Sequence, residues 1–418
     1  MRGADGLNDI DKLLFLAPSG ELGGAERCLV DTIWSFRRAW PELEMHLIVG
    51  SDGPFVEEAR KAGADVTVVT MPRATASLGD SGAGGSVGKL VRLLLRMGLA
   101  VPSLARYVLR LRRAVAARKP DAVHVLGLKM QLISLWAAPR PAPLVWNVQD
   151  YVGARRLISL LIRWNVRLFG RGRKLGAGCC ANDVVRDFRT VVPEGSFRTI
   201  STVHNTVDLD TFTPEGPRIV LDAAGADRIR IGLVATYARW KGQDVLIEAA
   251  GMLKGRPALP AWHAYVVGGP IYATAGSQWS AEELQSMIAA RGLEKVVSLA
   301  PFQRDPAAVM RGLDIVVHAS SKPEPFGRVI AEAQACGRSV VAVGTGGSGE
   351  VFEDGVTGLA IRANDAADLA DVLERLLRNE ALRQSLAAAG PNYVKARFDR
   401  RDLAVAWNDI YDTTTARQ

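Results

Sequence analysis

The sequence predicts an α/β protein with two doubly wound parallel sheets, and three observations support this prediction. Segments rich in Val, Ile and Leu alternate with longer amphipathic segments along almost the whole chain. The apolar segments contain few polar residues, which is typical of parallel strands that helices bury on both faces. A chain of 418 residues is also too long for one ordinary core, so we expect at least two domains.

Two series of apolar segments define the predicted domains. The first lies at 12–18, 45–50, 66–71, 122–127 and 144–150, and the second at 229–236, 264–269, 296–301, 315–320 and 339–344. Between the series, residues 207–228 contain two prolines and several turn-forming residues, which is typical of a linker. We predict one Rossmann-like domain over 1–214 and another over 215–399. Ligands bind outside the carboxyl ends of such strands, so two facing domains would form one cleft.

Composition restricts the class of protein. An apolar content of 48% with 23% charged residues is typical of globular domains. The four cysteines form neither a Cys-x-x-Cys pair nor a metal-binding spacing, and the first residues lack the features of a signal peptide. The apolar segments are shorter than the roughly eighteen residues that span a bilayer. We therefore expect a cytoplasmic protein, either soluble or peripheral at the cytoplasmic face of the membrane.

The net charge of +8 comes from two basic segments. Residues 81–120 contain nine Lys or Arg and no acid, residues 151–182 contain seven and no acid, and the rest of the chain carries −8. Basic amphipathic helices can lie on anionic membranes, but they can also be packing helices with a solvated basic face. Both interpretations stay open for 103–118 and 155–174. No aromatic stacking platform or groove-reading motif indicates nucleic-acid binding.

The segment KPEPFGRVIAEAQACG, residues 322–337, contains the strongest ligand-binding pattern. It follows the predicted strand at 315–320, and its prolines favour an extended loop before a helix that begins near Gly327. The backbone amides of Phe326, Gly327 and Arg328 would then lie at a helix N-terminus, which suits a diphosphate. Glycine would let a phosphate approach the backbone closely.

Two carboxylates flank this predicted phosphate site. Glu332 lies about one turn into the helix, where it could accept hydrogen bonds from two ribose hydroxyls, and Glu324 lies in the preceding loop. Carboxylates beside a diphosphate are unfavourable unless each has a hydroxyl or a cation to bind. A nucleotide-sugar has a hydroxylated ring on each side of its phosphates and meets this condition.

The segment EPFGRVIAE resembles the Glu-(seven residues)-Glu signature of retaining glycosyltransferases with the GT-B fold, specifically glycosyltransferase family 4. The resemblance continues, in the family's order, through SGELGGAER, HNTVDLDTF, RWKGQDVLIEA, HASSKPEPFG, GGSGEVFEDGVTGLAI and FDRRDLAVAWNDIYD. It implies two Rossmann-like domains that face each other across a cleft. The final helix, at about 400–418, would cross back to the first domain.

The resemblance also implies roles for individual residues. Glu324 would bind the sugar hydroxyls, Glu332 the ribose, and Lys241 the diphosphate, while the N-terminal glycine loop would approach the donor phosphate and the acceptor. The predicted donor-binding residues are Gly23, Gly24, Arg239, Lys241, Glu324, Phe326, Gly327, Arg328, Val329 and Glu332. The predicted catalytic residues are Glu324, Lys241 and His124.

Three positions depart from the family pattern. Thr236 stands where the family usually has an arginine, and Arg239, two residues before the lysine, is the predicted substitute. Leu126 occupies the position that aligns best with a first-domain histidine, and Gln149 stands where many members have a histidine. His124, on the predicted strand at 122–127, is the predicted substitute there, with a purely structural role as the alternative.

The function implied is transfer of a hexose or N-acetylhexosamine-type sugar, with retention, from a nucleoside-diphosphate sugar to an acceptor hydroxyl. The acceptor would be a glycan, a lipid-linked molecule or a small molecule in cell-envelope polysaccharide biosynthesis. We expect no cofactor and no metal, because Asp208-Leu209-Asp210, which imitates a metal-binding Asp-x-Asp motif, is interpreted as a turn. Two alternatives stay open: a non-catalytic sugar-nucleotide-binding protein, and an epimerase or phosphorylase on the same scaffold.

Overall fold

The computed structural model describes residue 7 and residues 10–72, 87–221, 227–270 and 276–416, with only the backbone over 87–100. The chain divides into two compact units, Met1–His204 with Arg400–Gln418, and Asn205–Asp399. Each unit contains a parallel sheet with helices between its strands. The predicted α/β class with two Rossmann-like units is confirmed.

The strands of each unit form one sheet within the described ranges. The first sheet has the order β3-β2-β1-β4-β5-β6-β7 and the second β10-β9-β8-β11-β12-β13. The strands are β1 (Lys12–Ala17), β2 (Glu44–Val49), β3 (Asp65–Val68), β4 (Ala122–Leu126), β5 (Leu144–Val148), β6 (Leu175–Cys179), β7 (Thr199–Thr202), β8 (Ile229–Val234), β9 (Trp262–Gly268), β10 (Val297–Pro301), β11 (Ile315–His318), β12 (Ser339–Val343) and β13 (Leu359–Ile361). All ten predicted strands are confirmed, as β1–β5 and β8–β12, whereas β6, β7 and β13 were not predicted.

The helices follow the strands in the alternating order that the sequence predicts. They are α1 (Gly24–Ala39), α2 (Pro54–Lys61), α3 (Val87–Arg118), α4 (Leu128–Ala137), α5 (Arg156–Phe169), α6 (Asn182–Val191), α7 (Gln243–Lys254), α8 (Ala281–Ala290), α9 (Pro306–Gly312), α10 (Arg328–Ala335), α11 (Ala366–Arg378), α12 (Glu380–Arg397) and α13 (Leu403–Thr415). Among the described residues, none of these helices is both long enough and apolar enough to cross a membrane.

The strand order of the second sheet brings two loops together. β8 and β11 are neighbours in the sheet, although other helices and strands lie between them in the chain. The strands are parallel, so the loops after β8 and after β11 leave the same edge of the sheet. These loops contain Lys241 and Glu324, respectively.

The segment before β8 belongs to the second unit. The sequence predicts a boundary after residue 214, whereas the structure groups Asn205 onward with the second unit. The Arg311 guanidinium donates hydrogen bonds to the carbonyl oxygens of Thr211 and Thr213, both at 3.2 Å. These bonds attach the segment to α9.

The C-terminal helix α13 returns to the first unit, as predicted. It packs against α1 and β6, and the backbone N–H of Ala404 donates to Ser35 Oγ at 2.8 Å. Trp407, Ile410 and Tyr411 belong to the same buried apolar cluster as β1 and β2. The first unit therefore takes part of its core from residues that follow the entire second unit in the chain.

Two glycines in β6 allow α13 to approach the sheet. A Cβ atom on Gly178 would lie 2.5 Å from two ring carbons of Trp407, and a Cβ on Gly176 would collide with the Thr414 side chain. Real Cβ atoms do not tolerate such contacts, so a larger residue would push the helix outward. The sequence LGAGC of β6 thus contains glycines because α13 packs directly on this strand.

We predict that Gly178→Ala lowers the free energy of unfolding of the first unit by roughly 1–3 kcal/mol, because overpacking displaces Trp407. Urea titration with hydrogen exchange of the 175–179 amides would measure this effect. Gly251→Ala is the matched control, since its Cβ would meet the nearest atom at 3.8 Å inside α7. An unchanged exchange rate in Gly178→Ala would contradict the prediction.

Candidate functional site

Glu324 is the centre of the candidate site. Its side chain is 12% exposed, and its Oε1 accepts hydrogen bonds from Lys241 Nζ at 2.5 Å and from Ser320 Oγ at 2.7 Å. Burial alone would raise the pKa of Glu324, but the charge of Lys241, followed by smaller contributions from His318 and Ser320, lowers this pKa below its usual value. The carboxylate is therefore ionised at neutral pH with a cation beside it.

Lys241 reaches Glu324 because the loop after β8 packs against the end of β11. Lys241 ends a short 3₁₀ turn, and Gly242 follows it in the left-handed conformation, with φ of +80°. A Cβ on Gly242 would collide with the carbonyl oxygen of Ala319, so only glycine lets the two loops approach. The backbone N–H of Ser321 then donates to the carbonyl oxygen of Trp240 at 2.8 Å.

Two further polar residues lie under Glu324, and the sequence patterns did not single them out. Ser320 and His318 are both buried, with His318 Nε2 at 3.3 Å from Ser320 Oγ and 4.0 Å from Glu324 Oε1. Because Ser320 donates its only proton to Glu324, the imidazole must donate from Nε2. Burial lowers the pKa of His318 to about 4, so the ring is neutral at pH 7. One sequence feature could have indicated these two residues. His318 and Ser320 are two positions apart on an extended segment, so their side chains lie on the same face of the chain.

The turn at Gly327 is built as the sequence predicts. Gly327 precedes α10 in the left-handed conformation, with φ of +83°, and a Cβ there would lie 2.9 Å from Ile330 Cδ1. Phe326 is buried and packs edge-to-face on Phe398, with ring centroids 5.4 Å apart. Buried Ile330 and Ala333 attach α10 to the core. The backbone of the predicted phosphate site is therefore held in place from both sides.

Glu332 lies one turn inside α10. Its Oε1 accepts a hydrogen bond from Arg328 Nε at 3.3 Å, and the two side chains are about equally buried. Val329, which follows Arg328 in the helix, is half-buried. The structure thus places Glu332 and Glu324 on either side of the Gly327 turn, each with a basic partner.

Arg239 has contacts different from those of Lys241. Its guanidinium stacks on the Trp279 ring at 3.8 Å from the ring centroid, and it pairs with Glu283 at 2.6 Å. Thr236, which replaces the family's arginine, accepts a hydrogen bond at its carbonyl from Gln243 Nε2. The structure therefore uses Arg239 to hold the segment around Trp279, and Lys241 as the cation beside Glu324.

The surroundings of His124 favour the structural role that the sequence left as the alternative to a catalytic one. The ring is completely buried, with Nδ1 at 2.9 Å from the Tyr411 hydroxyl and Nε2 at 3.2 Å from Asn147 Nδ2. Trp407 packs edge-to-face on it at 4.5 Å. Burial lowers the pKa of His124 to about 3, so it stays neutral. We assign this histidine to the attachment of α13 to the first sheet.

Gly23 and Gly24 belong to the first unit, at the start of α1. The backbone N–H of Gly23 donates to Glu26 Oε2 at 3.2 Å, and burial raises the pKa of that carboxyl. A Cβ on Gly24 would meet no atom within 4 Å. There is therefore space beside Gly24 at the N-terminus of α1, whereas the amide of Gly23 is already hydrogen-bonded to Glu26.

The Asp-x-Asp segment is a turn, as interpreted from the sequence. Asp208 Oδ1 accepts from the backbone N–H of Asp210 at 3.0 Å, and Oδ2 accepts from Thr211 Oγ1 at 2.7 Å. These are the hydrogen bonds of an aspartate that stabilises its own turn.

Sequence comparisons match both units to one kind of enzyme. The family described as Glycosyl transferases group 1 matches residues 223–393, and the one described as Glycosyl transferase 4-like domain matches residues 53–192. The two matches together support a family 4 type of glycosyltransferase, the family that the sequence resembles. The match in the second unit contains Lys241, Glu324 and Glu332, and the match in the first unit contains His124.

Curated relatives of this chain include two bacterial proteins named D-inositol 3-phosphate glycosyltransferase. The protein from Xylanimonas cellulosilytica is 35% identical over 51% of this chain and 51% of its own length, and the one from an Arthrobacter species is 36% identical over 48% and 47%. The chain thus spans about half the length of the curated relatives it matches.

Solved structures support the GT-B fold. Anabaena HepE in complex with UDP and glucose has a TM-score of 0.74 at 24% identity, covering 96% of this chain and 98% of HepE. HepE in complex with UDP-glucose has a TM-score of 0.72 at 25% identity, covering 95% and 98%. A sucrose-phosphate synthase from Thermosynechococcus elongatus has a TM-score of 0.73 at 16% identity, covering 96% and 98%.

We predict that Lys241→Met lowers the free energy of unfolding by about 2 kcal/mol at pH 7, because it leaves the buried Glu324 carboxylate without its cation. The lowered pKa of Glu324 means that its ionised form stabilises the fold above pH 4.5, and that this contribution is lost as the pH falls through the folded-state pKa. The difference between variant and wild type should therefore shrink as the pH falls through 4.5 toward the lowered pKa of Glu324 in the wild type.

Urea unfolding between neutral and acidic pH measures this difference. Lys295→Met, which removes an exposed lysine of the same unit, is the control and should change little at any pH. Glu324→Gln combined with Lys241→Met should remove the pH dependence of the difference. A loss of stability in Lys241→Met that is constant with pH would show that the Lys241–Glu324 pair is not its cause.

Proposed function

We propose that this chain transfers a hexose-type sugar from a nucleoside-diphosphate sugar to an acceptor hydroxyl, with retention of anomeric configuration. The observation that carries the proposal is the buried, ionised Glu324 beside Lys241, one short loop before the Gly327 turn. An ionised carboxylate and a lysine next to a helix N-terminus suit a ligand that has both hydroxyls and phosphates.

Lys241 and the start of α10 would bind the diphosphate. The Lys241 ammonium has three N–H donors, so it can keep its hydrogen bond to Glu324 and still donate to a phosphate oxygen. The N-terminus of α10, after Gly327, carries the positive end of the helix dipole, which favours an anionic ligand. These charges would stabilise the leaving diphosphate, and the proposal therefore assigns no metal and no cofactor.

The two carboxylates would bind the two rings of the donor. Glu324 would accept hydrogen bonds from the sugar hydroxyls, and Glu332 from the ribose, with Arg328 balancing its charge. Phe326 and Val329 shape the segment between them, and Gly23 and Gly24 would contribute from the first unit. Arg239 would act by holding the Trp279 segment.

The donor proposed is a UDP-sugar, with UDP-glucose as the first candidate. HepE, which shares the fold over almost the whole chain, is described in complex with UDP-glucose. The acceptor proposed is a hydroxyl of a glycan or of a lipid-linked or small molecule of the cell envelope.

The chemical step proposed needs no protein nucleophile. The acceptor oxygen forms its bond to the anomeric carbon on the face from which the diphosphate leaves, and the carbon–oxygen bond to the diphosphate breaks. The acceptor proton passes to the leaving phosphate oxygen, so the products are the glycoside and the nucleoside diphosphate. Glu324 and Lys241 contribute by positioning the donor and by stabilising the charge that develops.

Thermal shift measurements with UDP-, GDP- and ADP-linked sugars test the donor site. At a donor concentration one hundred times Kd, we expect about 2.7 kcal/mol of stabilisation and a rise in Tm of several degrees. Glu332→Gln should weaken donor binding about tenfold or more by removing charged hydrogen bonds to the ribose. Glu294→Gln, on an exposed carboxylate of the same unit, should bind like wild type. If no nucleotide-sugar raises Tm, the proposed function is wrong.

Transfer assays separate the enzyme from a binding protein. We expect Glu324→Gln to reduce kcat about a hundredfold while donor binding changes less, because the charge acts mainly on the transition state. NMR of the product should show the anomeric configuration of the donor, and EDTA should leave the rate unchanged. Donor binding without any transfer or hydrolysis would favour a non-catalytic binding protein, and dependence on inorganic phosphate would favour a phosphorylase.

A further inference from the structure

Helix α5 exposes an apolar surface that the fold does not use. Its buried side chains, Ile162, Asn165 and Val166, lie on one face of the helix. On the opposite face is a stripe of large apolar side chains, which we call the α5 stripe. It consists of Leu157, Leu160, Leu161, Trp164 and Leu168, each between 42% and 62% exposed.

The α5 stripe runs along the whole helix, which is about 21 Å long. Its members are three or four residues apart, so they form one continuous ridge. Phe169, 41% exposed at the end of the helix, packs edge-to-face on Trp136, with ring centroids 5.7 Å apart. Single exposed apolar residues are ordinary, but a contiguous patch of this kind marks a binding surface.

The other basic helix of the first unit does not have this property. In α3, Leu111 and Val115 are buried, and the arginines between them, Arg112 and Arg113, are exposed. Over its described side chains, α3 is therefore a packing helix with a solvated basic face. The sequence left two interpretations open for the basic helices, packing or membrane binding. The packing interpretation fits α3, and the exposed apolar stripe leaves membrane binding for α5.

The charges around the α5 stripe are positive. Arg156 and Arg167 are exposed along one side of it, and Arg171, also exposed, follows two residues after the helix ends. The adjacent helix α4 contains Lys129 and no acid. The acids of the other neighbour, α6, are engaged: Asp183 accepts from Tyr151 and Arg186, and Asp187 accepts from the backbone N–H groups of Val152 and Gly153.

We propose that the α5 stripe docks the first unit on an anionic lipid bilayer. The apolar side chains would enter the boundary between headgroups and acyl chains, with Trp164 at the level of the headgroups, and the arginines would contact lipid phosphates. A second copy of the chain fits this face less well, because pairing two such helices would bring positive charges together. The proposal does not depend on the transfer reaction.

Vesicle co-sedimentation tests the proposal without any donor. We expect the wild-type chain to bind vesicles that contain phosphatidylglycerol more tightly than vesicles of phosphatidylcholine alone, and added salt should weaken this binding. Trp164→Ser with Leu168→Ser should reduce binding at least tenfold, because apolar surface no longer enters the bilayer. Arg156→Gln and Arg167→Gln should each reduce binding to the anionic vesicles about fivefold.

Leu109→Ser is the matched control, since Leu109 is an exposed leucine on the basic helix α3. It should bind vesicles like wild type, and all variants should keep the wild-type Tm because the replaced side chains lie outside the core. Wild-type binding by the Trp164 and Leu168 double variant would overturn the proposal. So would concentration-dependent dimers in sedimentation velocity, abolished by the same double variant, in a chain that binds neither kind of vesicle.

Discussion

A carboxylate that is removed from water must have a cation or hydrogen-bond donors beside it, and the second unit is arranged around this constraint at Glu324. Its partners come from two different loops, Lys241 from the loop after β8 and Ser320 from the loop after β11. Gly242 lets these loops meet, and the backbone bond from Ser321 to Trp240 joins them. The position of the charge therefore depends on the strand order, which makes β8 and β11 neighbours.

Sequence patterns were most informative where burial and local geometry act together. The fully buried strands β4, β5 and β12 and the start of α10 at Gly327 were predicted because their residue patterns are compatible with few alternative local structures. β6 and β13 were not predicted, since LGAGC lacks the bulky β-branched residues typical of strands and LAI is only three residues long. The glycines of β6 become understandable only when the packing of α13 is known.

Sequence patterns were least informative about tertiary partners. His124 could be assigned to a strand from sequence, but its neighbours Tyr411 and Trp407 are almost three hundred residues away in the chain. Arg239 was expected to bind the donor as a cation close to Lys241, and the structure places Trp279 and Glu283 against it. Helical periodicity likewise predicts which residues of α5 share a face. It does not show which face the rest of the protein buries.

The return of α13 to the first unit has a consequence for biosynthesis. During translation, the second unit, continuous from Asn205 to Asp399, emerges completely before Trp407 and Tyr411 are made. Until then, the sheet of the first unit lacks α13 over β6, where Gly176 and Gly178 leave a groove for this helix. In a nascent chain this groove is an exposed apolar surface, and a chaperone that binds such surfaces would have its site there until α13 has been made.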